Sequence, residues 1–269
     1  MKKLTLIILA LACAATAGAW KPTFIGHRGC FTGVMNTAEA YVNGVEIYGY
    51  EGLECDVRVT ADGQYVISHD ETTNAVGGNL TVAQATLAQL QAEEYVQKRG
   101  DSTYTGHICT VADYLDICKA KDVIPVVELK WSTGINNNDM SNFDGLARLI
   151  DEKGLTRKVV ILTSMRNSLE YVRTHYPRLR CQFLCRDNWA THFDWIVMWR
   201  LTPSIQNGCF DEETVRRFHD EGLGVATWTV NNPDDCARLT AMGVDMLTSD
   251  RLVPADMPDM EPASRLETP

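Results

Sequence analysis

Residues 52–70 read GLECDVRVTADGQYVISHD and carry Glu54 and Asp56 one residue apart, followed by His69 and Asp70. Leu53, Cys55 and Val57 alternate with the two acids, which is the period of a β-strand, so both carboxylates face the same way, about 7 Å apart along the chain. Three more groups close apolar runs elsewhere: His27 and Arg28 after TFIG, Glu128 and Lys130 at the end of VIPVVELK, and Trp228 and Asn231 at the end of GVATWTVN. Imidazoles suit proton transfer near neutral pH. Arginine and lysine supply the charge and donors that a phosphate needs. Three carboxylates gathered at one point would repel one another and lose solvation, at a cost of several kcal/mol, unless a cation sat among them. Hard oxygen ligands favour Ca²⁺ or Mg²⁺ over zinc, with water and substrate oxygens completing the shell. A divalent ion, two histidines and two cations around one point describe phosphoryl transfer from a diester.

Taken singly, each feature has an ordinary explanation. A histidine at a strand end is commonly a satisfied hydrogen-bonding group, and Glu54 and Asp56 could form the wet face of a half-exposed strand. Glu128 and Lys130 could be a simple ion pair, and Trp228 could be a packing aromatic. These residues can share one chemistry only where the fold brings them together.

The elements that must do so alternate along the chain. Strand-like runs in KPTFIGHRG through Ile25, at GLECDVRVT, QYVIS, VIPVVELK, VVILTS, CQFLC, within WIVMWRLTPSIQN, and at GVATWTV and VDMLTSD give nine candidate strands. Helical spacing marks residues 37–48, where Ala40, Tyr41, Val45 and Tyr48 recur on one face, and the stretches TVADYLDICKAK, RNSLEYVRTHY, DEETVRRFHDE and NPDDCARLTAMG. Thr81 to Gln84 reads as a capping box opening one helix through TVAQATLAQLQAEE. Such alternation predicts an α/β fold with a parallel sheet, and about eight units predict a TIM-type (β/α)8 barrel; an open doubly wound sheet is the fallback. Only Ala61, Asp62 and Gly63 separate VRVT from QYVIS, too few for a parallel crossover, so this pair is a hairpin or an irregular corner. VIPVV is apolar throughout, as expected of a strand covered on both faces, which places Glu128 at the barrel mouth.

The 269 residues suit one such domain, with 45% hydrophobic and 22% charged residues. The chain opens MKKLTLIILALACAATAGAW, with Lys2 and Lys3 ahead of an apolar core and a small-residue site at Ala17-Gly18-Ala19. That is a secretory signal, too short for a transmembrane helix, with cleavage expected after Ala19. Ala10-Leu11-Ala12 before Cys13 matches a lipobox poorly, so a lipoprotein route ranks second. The expected organisation is a signal over 1–19, a barrel over 20–252 and a loose tail over 253–269. The formal net charge is −10, and loss of Lys2 and Lys3 with the leader takes it to −12. An acidic exported protein is a poor ligand for nucleic acid or an anionic membrane, though a local cationic site remains open to it. Eight cysteines outside the leader permit disulfides in an oxidising compartment, and we expect some, with no pairing assigned.

The ordered set His27-Arg28-Gly29, Asn36-Thr37, Glu54-Cys55-Asp56-Val57, Thr60-Ala61-Asp62-Gly63, His69-Asp70, Glu128-Leu129-Lys130, Trp228-Thr229-Val230-Asn231 and Gly243-Val244-Asp245 resembles the glycerophosphodiester phosphodiesterases over about residues 24–250. The resemblance implies that Glu54, Asp56 and Glu128 hold one Ca²⁺ or Mg²⁺ ion, that His27 and His69 are the acid–base pair, and that Arg28 and Lys130 bind the phosphate with Trp228 nearby. It further implies hydrolysis of small glycerophosphodiesters to glycerol 3-phosphate and an alcohol; in one family scheme the glycerol 2-hydroxyl attacks first to give a cyclic phosphate. By position, residues 71–108 resemble the family's inserted cap over the mouth. One departure is Met35, where the family usually has Glu before Asn-Thr; the loop Cys30 to Val34 also lacks the usual Pro. Two other readings stand beside this one. A phospholipase D-like lyase would cyclise a lysolipid head group on the same barrel. A non-catalytic binding protein would only hold a phosphorylated ligand. The oligomeric state is left open by the sequence.

Overall fold

The computed structural model describes residues 21–257. The expected leader and its Cys13, and most of the expected loose tail, lie outside the described residues. Eight parallel strands form the barrel: β1 (Thr23–Gly26), β2 (Gly52–Val59), β6 (Ile124–Leu129), β7 (Val160–Thr163), β8 (Arg180–Cys185), β9 (Thr202–Gln206), β10 (Ala226–Trp228) and β11 (Met246–Ser249). Each pairs with the next, and β11 returns to β1, so the sheet has no open parallel edge. The fallback of an open sheet is thereby excluded.

The ninth candidate strand, β3 (Tyr65–Ile67), pairs antiparallel with the end of β2, in register Val57 with Ile67. QYVIS is therefore a hairpin arm outside the barrel count, as the three-residue turn requires. Helices α1 (Ala38–Glu46), α3 (Val111–Ala120), α4 (Phe143–Glu152), α5 (Arg166–His175), α6 (Phe193–Met198), α7 (Glu212–Asp220) and α8 (Pro233–Ala241) lie between successive strands. The tryptophan-rich passage splits into α6 and β9, with Trp195 donating from its indole to Glu170 Oε1 at 2.6 Å.

Strand alternation divides the core in two. Leu53, Cys55 and Val57 are fully buried with Tyr41, Tyr114 and Leu115 of the helical layer. The opposite faces of the strands fill the barrel interior with Ile25, Val126, Val160 and Leu162, packed by Ile124, Leu184 and Met246. Glu54 and Asp56 share this inner face, level with Val126 and Glu128 in the register of β2 against β6. They sit above an apolar plug, at the C-terminal end where barrel sites are built.

Two local solutions fix β2. Tyr114 inserts into the β2–β6 ladder: its hydroxyl donates to the Leu53 carbonyl at 2.6 Å and accepts from Val126 N at 3.1 Å, bridging the two strands. At the closing seam, β1 meets β2 over only two residue pairs. A Cβ on Gly26 would stand 2.1 Å from the Gly29 carbonyl oxygen and 2.5 Å from the Tyr50 ring, so the seam admits no side chain there.

Three expectations need correction. TVAQATLAQLQAEE is not one helix: a 3₁₀ turn covers Val82–Gln84, and α2 spans only Leu87–Gln91. The capping box lies at Thr86 and Gln89 instead of Thr81 and Gln84, because the chain turns extended at Ala85, buried against the β2 turn. Beyond it, β4 (Tyr95–Arg99) and β5 (Ser102–Gly106) form an antiparallel hairpin that no clear alternation announced. Residues 71–108 thus carry their own small core, in which Val82, Ala85, Leu90, Tyr95 and Ile108 pack with Val34 and Val66 of the barrel. Finally, all eight cysteines outside the leader are free thiols, and all but Cys209 are buried. Most act as small hydrophobes in the core, and burial pushes the thiols of Cys109, Cys118, Cys181 and Cys185 up to about 12.

Candidate active site

The three acids do converge. One oxygen each from Glu54, Asp56 and Glu128 lies within 4.8 Å of the others, with Glu54 and Asp56 buried and Glu128 half-buried. Asp56 is the best supported. Its Oδ2 accepts from Asn36 Nδ2 at 2.8 Å and lies 3.3 Å from Arg28 Nε, while Oδ1 lies 3.0 Å from Lys130 Nζ. Tyr41 in turn donates to Asn36 Oδ1 at 2.9 Å, fixing the amide's orientation. Glu54 accepts from the Arg28 backbone N–H at 2.9 Å through Oε2, whereas its buried Oε1 has no hydrogen-bond partner.

The electrostatics follow from these contacts. Burial first, then the neighbouring Asp56, pushes Glu54 up to about 8. Burial also works against Asp56, but Lys130 and Arg28 outweigh it and hold that carboxyl down to about 2. Glu128 is raised by burial and by Asp56, with Lys130 opposing. An oxygen without a donor, in a nest of three acids, is a deficit of positive charge. The donor set therefore fits a hard divalent cation. Lys130 already stands among these acids, with Nζ also 2.7 Å from Glu128 Oε1.

Both histidines reach the same mouth. His27 Nδ1 is 2.8 Å from Asp250 Oδ1. Asp250 is itself held by Asn231, whose Nδ2 donates to Oδ2 at 2.6 Å and whose Oδ1 accepts from the Asp250 N–H at 2.9 Å. His69 Nδ1 is 2.7 Å from Asp70 Oδ1. A carboxylate at Nδ1 places the proton there in the neutral ring and leaves Nε2 as the working atom. Burial lowers the affinity of His27 for a proton, but the Asp250 hydrogen bond and Glu54 overcome it, so its pKa is raised. For His69 burial prevails, helped by Arg28 and Lys130, and its pKa is lowered. His69 lines a cleft with Met35, Asn36 and Asp70, bordered by Thr72 and Tyr95 of the 71–108 segment.

Arg28 and Asn36 take left-handed backbone conformations, with φ of 52° and 62°. Non-glycine residues are seldom held this way, and both touch Asp56. Trp228 stands apart from the acids. Its indole donates to the Ser204 carbonyl at 3.1 Å, and the Arg186 guanidinium lies 5.9 Å from its ring centre, so it occupies the β8–β10 rim.

Sequence reasoning missed four residues. Asp250, one position beyond β11, gave no pattern beyond a lone acid after VDMLTS. Arg58 donates to the carbonyls of Ser68, His69 and Trp131 at 3.2, 2.8 and 2.9 Å, tying together the loops that carry His69 and Lys130. It sits two positions after Asp56, and an arginine continuing that face was the available signal. Trp131, directly after Lys130, is 53% exposed at the mouth. Arg99 comes from the unpredicted hairpin.

With this geometry in hand, comparison with known proteins is specific. The profile of the Glycerophosphoryl diester phosphodiesterase family matches residues 27–253. A glycerophosphodiester phosphodiesterase of Caldanaerobacter subterraneus subsp. tengcongensis is 27% identical over 239 residues, spanning 86% of this chain and 94% of that one. Among solved structures, a glycerophosphoryl diester phosphodiesterase from Silicibacter pomeroyi superposes with a TM-score of 0.77 at 23% identity, covering 87% of this chain and 92% of its own. An Oleispira antarctica phosphodiesterase, solved with the product sn-glycerol-3-phosphate, gives a TM-score of 0.71 at 17% identity over 85% of this chain and 93% of its own.

Proposed function

The chain belongs to the glycerophosphoryl diester phosphodiesterase family, and from that premise we propose that it hydrolyses small glycerophosphodiesters to glycerol 3-phosphate and an alcohol, with a divalent cation and two histidines. The observation that carries this reading is the converging trio Glu54, Asp56 and Glu128, with Glu54 Oε1 buried and without a hydrogen-bond partner, set between two histidines with oppositely shifted pKa values.

The three carboxylates would hold Ca²⁺ or Mg²⁺, which when bound polarises a phosphoryl oxygen and offsets the charge that develops on it. Arg28 and Lys130 orient the remaining phosphate oxygens. His69, the weaker base and so neutral at pH 7, takes the proton from the attacking oxygen at Nε2. His27, held towards its protonated form by Asp250, delivers a proton from Nε2 to the departing alkoxide, which leaves as the alcohol. Pairs of groups whose environments push their pKa values apart are how such acid and base duties are divided. The 71–108 segment covers the His69 side and is proposed as the cap.

The leader read from the sequence would send the protein out of the cytoplasm, with Trp20 as the first residue of the mature chain. The decisive experiment follows the phosphorus directly. By ³¹P NMR, purified protein with Ca²⁺ or Mg²⁺ should convert a glycerophosphodiester to glycerol 3-phosphate, and EDTA should stop it. Absence of cleavage with any divalent metal would end the enzymatic reading.

A further inference from the structure

Beside His27 the mouth carries positive charge that no carboxylate balances. The Arg99 guanidinium, from β4 of the inserted hairpin, lies 5.1 Å from the centre of the Phe31 ring, and that of Arg251, just past β11, lies 5.9 Å from the same ring. Among the described residues neither makes an ion pair with an acid. The acid whose field Arg99 feels most is Asp250, already committed to His27 and Asn231. Phe31 itself is pinned there, its N–H donating to the Asp250 carbonyl at 2.7 Å. Arg28 adds to the same patch. Its Nη1 faces the uncharged thioether of Met35, 3.5 Å from Sδ, and only Nε approaches an acid. The patch is built as one piece: Gln97 Oε1 accepts both from Met35 N at 3.0 Å and from Arg99 Nε at 3.1 Å, joining the hairpin to the loop after β1.

A cluster of guanidiniums over an aromatic ring, in a chain of net charge −10, is not a by-product of a basic surface. Unpaired arginines repel one another and disfavour burial. Planar forks of this kind match carboxylate or phosphate groups. A purely mechanical role, fastening the hairpin to Phe31, would need Arg99 alone and leaves Arg251 over the same ring without a purpose.

We propose that Arg99, Arg251 and Arg28 beside Met35 form a head-group subsite for an anionic leaving alcohol, one carrying a carboxylate or a second phosphate beyond the scissile diester. This rests on the reading of the site as a glycerophosphodiester hydrolase with His27 protonating the leaving group, since the patch lies on the His27 side. It commits the enzyme to a charge order: anionic head groups first, neutral ones next, and quaternary-ammonium ones last.

The test is a ³¹P NMR competition in a single tube with Ca²⁺. Its three substrates are glycerophosphocholine, glycerophosphoglycerol, and glycerophosphoglycerol bearing a terminal phosphate. At low salt kcat/KM for the terminally phosphorylated ester should exceed that for the choline ester by about tenfold, mostly in KM, and the ratio should shrink as NaCl is raised. Arg99→Gln and Met35→Glu, the latter placing an acid against Arg28, should each lower that ratio at least threefold, whereas Arg99→Lys should retain most of it. A merely structural Arg99 would depress all three substrates alike. Cleavage of all three at one common kcat/KM, or a preference for choline, would overturn the subsite while leaving the hydrolase intact. Failure to cleave any of them with any divalent metal would remove both.

Discussion

Glu54 and Asp56 are two residues apart on one strand, yet their surroundings predict opposite responses to neutralisation. Glu54, raised to about 8, carries its proton at pH 7 when no cation is present, so Glu54→Gln replaces one neutral group by another of the same shape. The metal-free variant should melt within about 2 °C of the wild type, a shift worth under about 1 kcal/mol in a domain of this size. Asp56 is ionised and anchors Lys130 and Arg28, so Asp56→Asn takes the carboxylate from two half-buried cations, leaving Lys130 only Glu128, and should cost about 3 kcal/mol. Metal addition separates the two again. A ligand at 100 times its Kd stabilises by about 2.7 kcal/mol, or about 5–10 °C here. The wild type should show that rise with CaCl₂ or MgCl₂, and Glu54→Gln should lose it. The sign of the pH effect is fixed by the protons bound. Between the ordinary carboxylate value of 4.5 and about 8 the native protein holds a proton at Glu54 that the unfolded chain has released. Metal-free stability therefore falls as pH rises through that window. Metal affinity moves the other way, weakening about tenfold per pH unit below about 8, because one proton must leave. Differential scanning fluorimetry from pH 5.5 to 8.5, with EDTA and with each alkaline-earth ion, reads both. Equal melting losses for Glu54→Gln and Asp56→Asn, or no metal-induced shift at any pH, would refute the reasoning.

Other outcomes follow from single contacts. His69→Ala should lower kcat by about 10²–10⁴-fold while the metal-induced melting shift survives, measured on the same preparations. Asp250→Asn replaces the carboxylate that raises the proton affinity of His27 with an uncharged amide, so the alkaline limb of the kcat/KM profile should move to lower pH; an unmoved limb would deny His27 the acid's role. Arg58→Gln should release both loops that Arg58 ties and lower kcat on every diester, with no change in relative preference among head groups. Gly26→Ala forces a methyl to within 2.1 Å of the Gly29 carbonyl oxygen and should destabilise by about 3 kcal/mol in urea denaturation.

What the sequence disclosed tracks where its physics is local. The nine strands of the main sheet announced themselves as short apolar runs, eight of them set between helical periods and β3 set off by a tight turn. Glu54, Asp56 and Glu128 could be brought together on paper because alternation fixes a face and a buried parallel strand fixes a mouth. The hairpin of β4 and β5 escaped since YVQKR and STYTG are mostly polar, half-exposed and covered by nothing that would force a period. The capping box was misplaced by five residues because Thr81 and Thr86 offer the same local chemistry, and only the tertiary contact of Ala85 with the β2 turn decides between them. Asp250 was invisible for a further reason: its partner His27 is 223 positions away, and no local pattern spans that distance. The cysteines misled through their even number, whereas in the fold all eight are unpaired and all but Cys209 are buried as packing residues.

The first strand of the barrel is bonded along its whole length to the last, Thr23 with Met246 through Gly26 with Ser249, and touches its neighbour in sequence over two pairs only. A chain stopped anywhere before residue 246 therefore has no place to lodge residues 23–26, and with them no fixed seat for the imidazole at 27. Contacts of such long sequence separation form late, after the loop-closure entropy of the intervening chain has been met. Catalytic competence thus arrives all at once with the closing strand β11, and premature stops before residue 250 should silence the enzyme as completely as loss of the strand over residues 23–26.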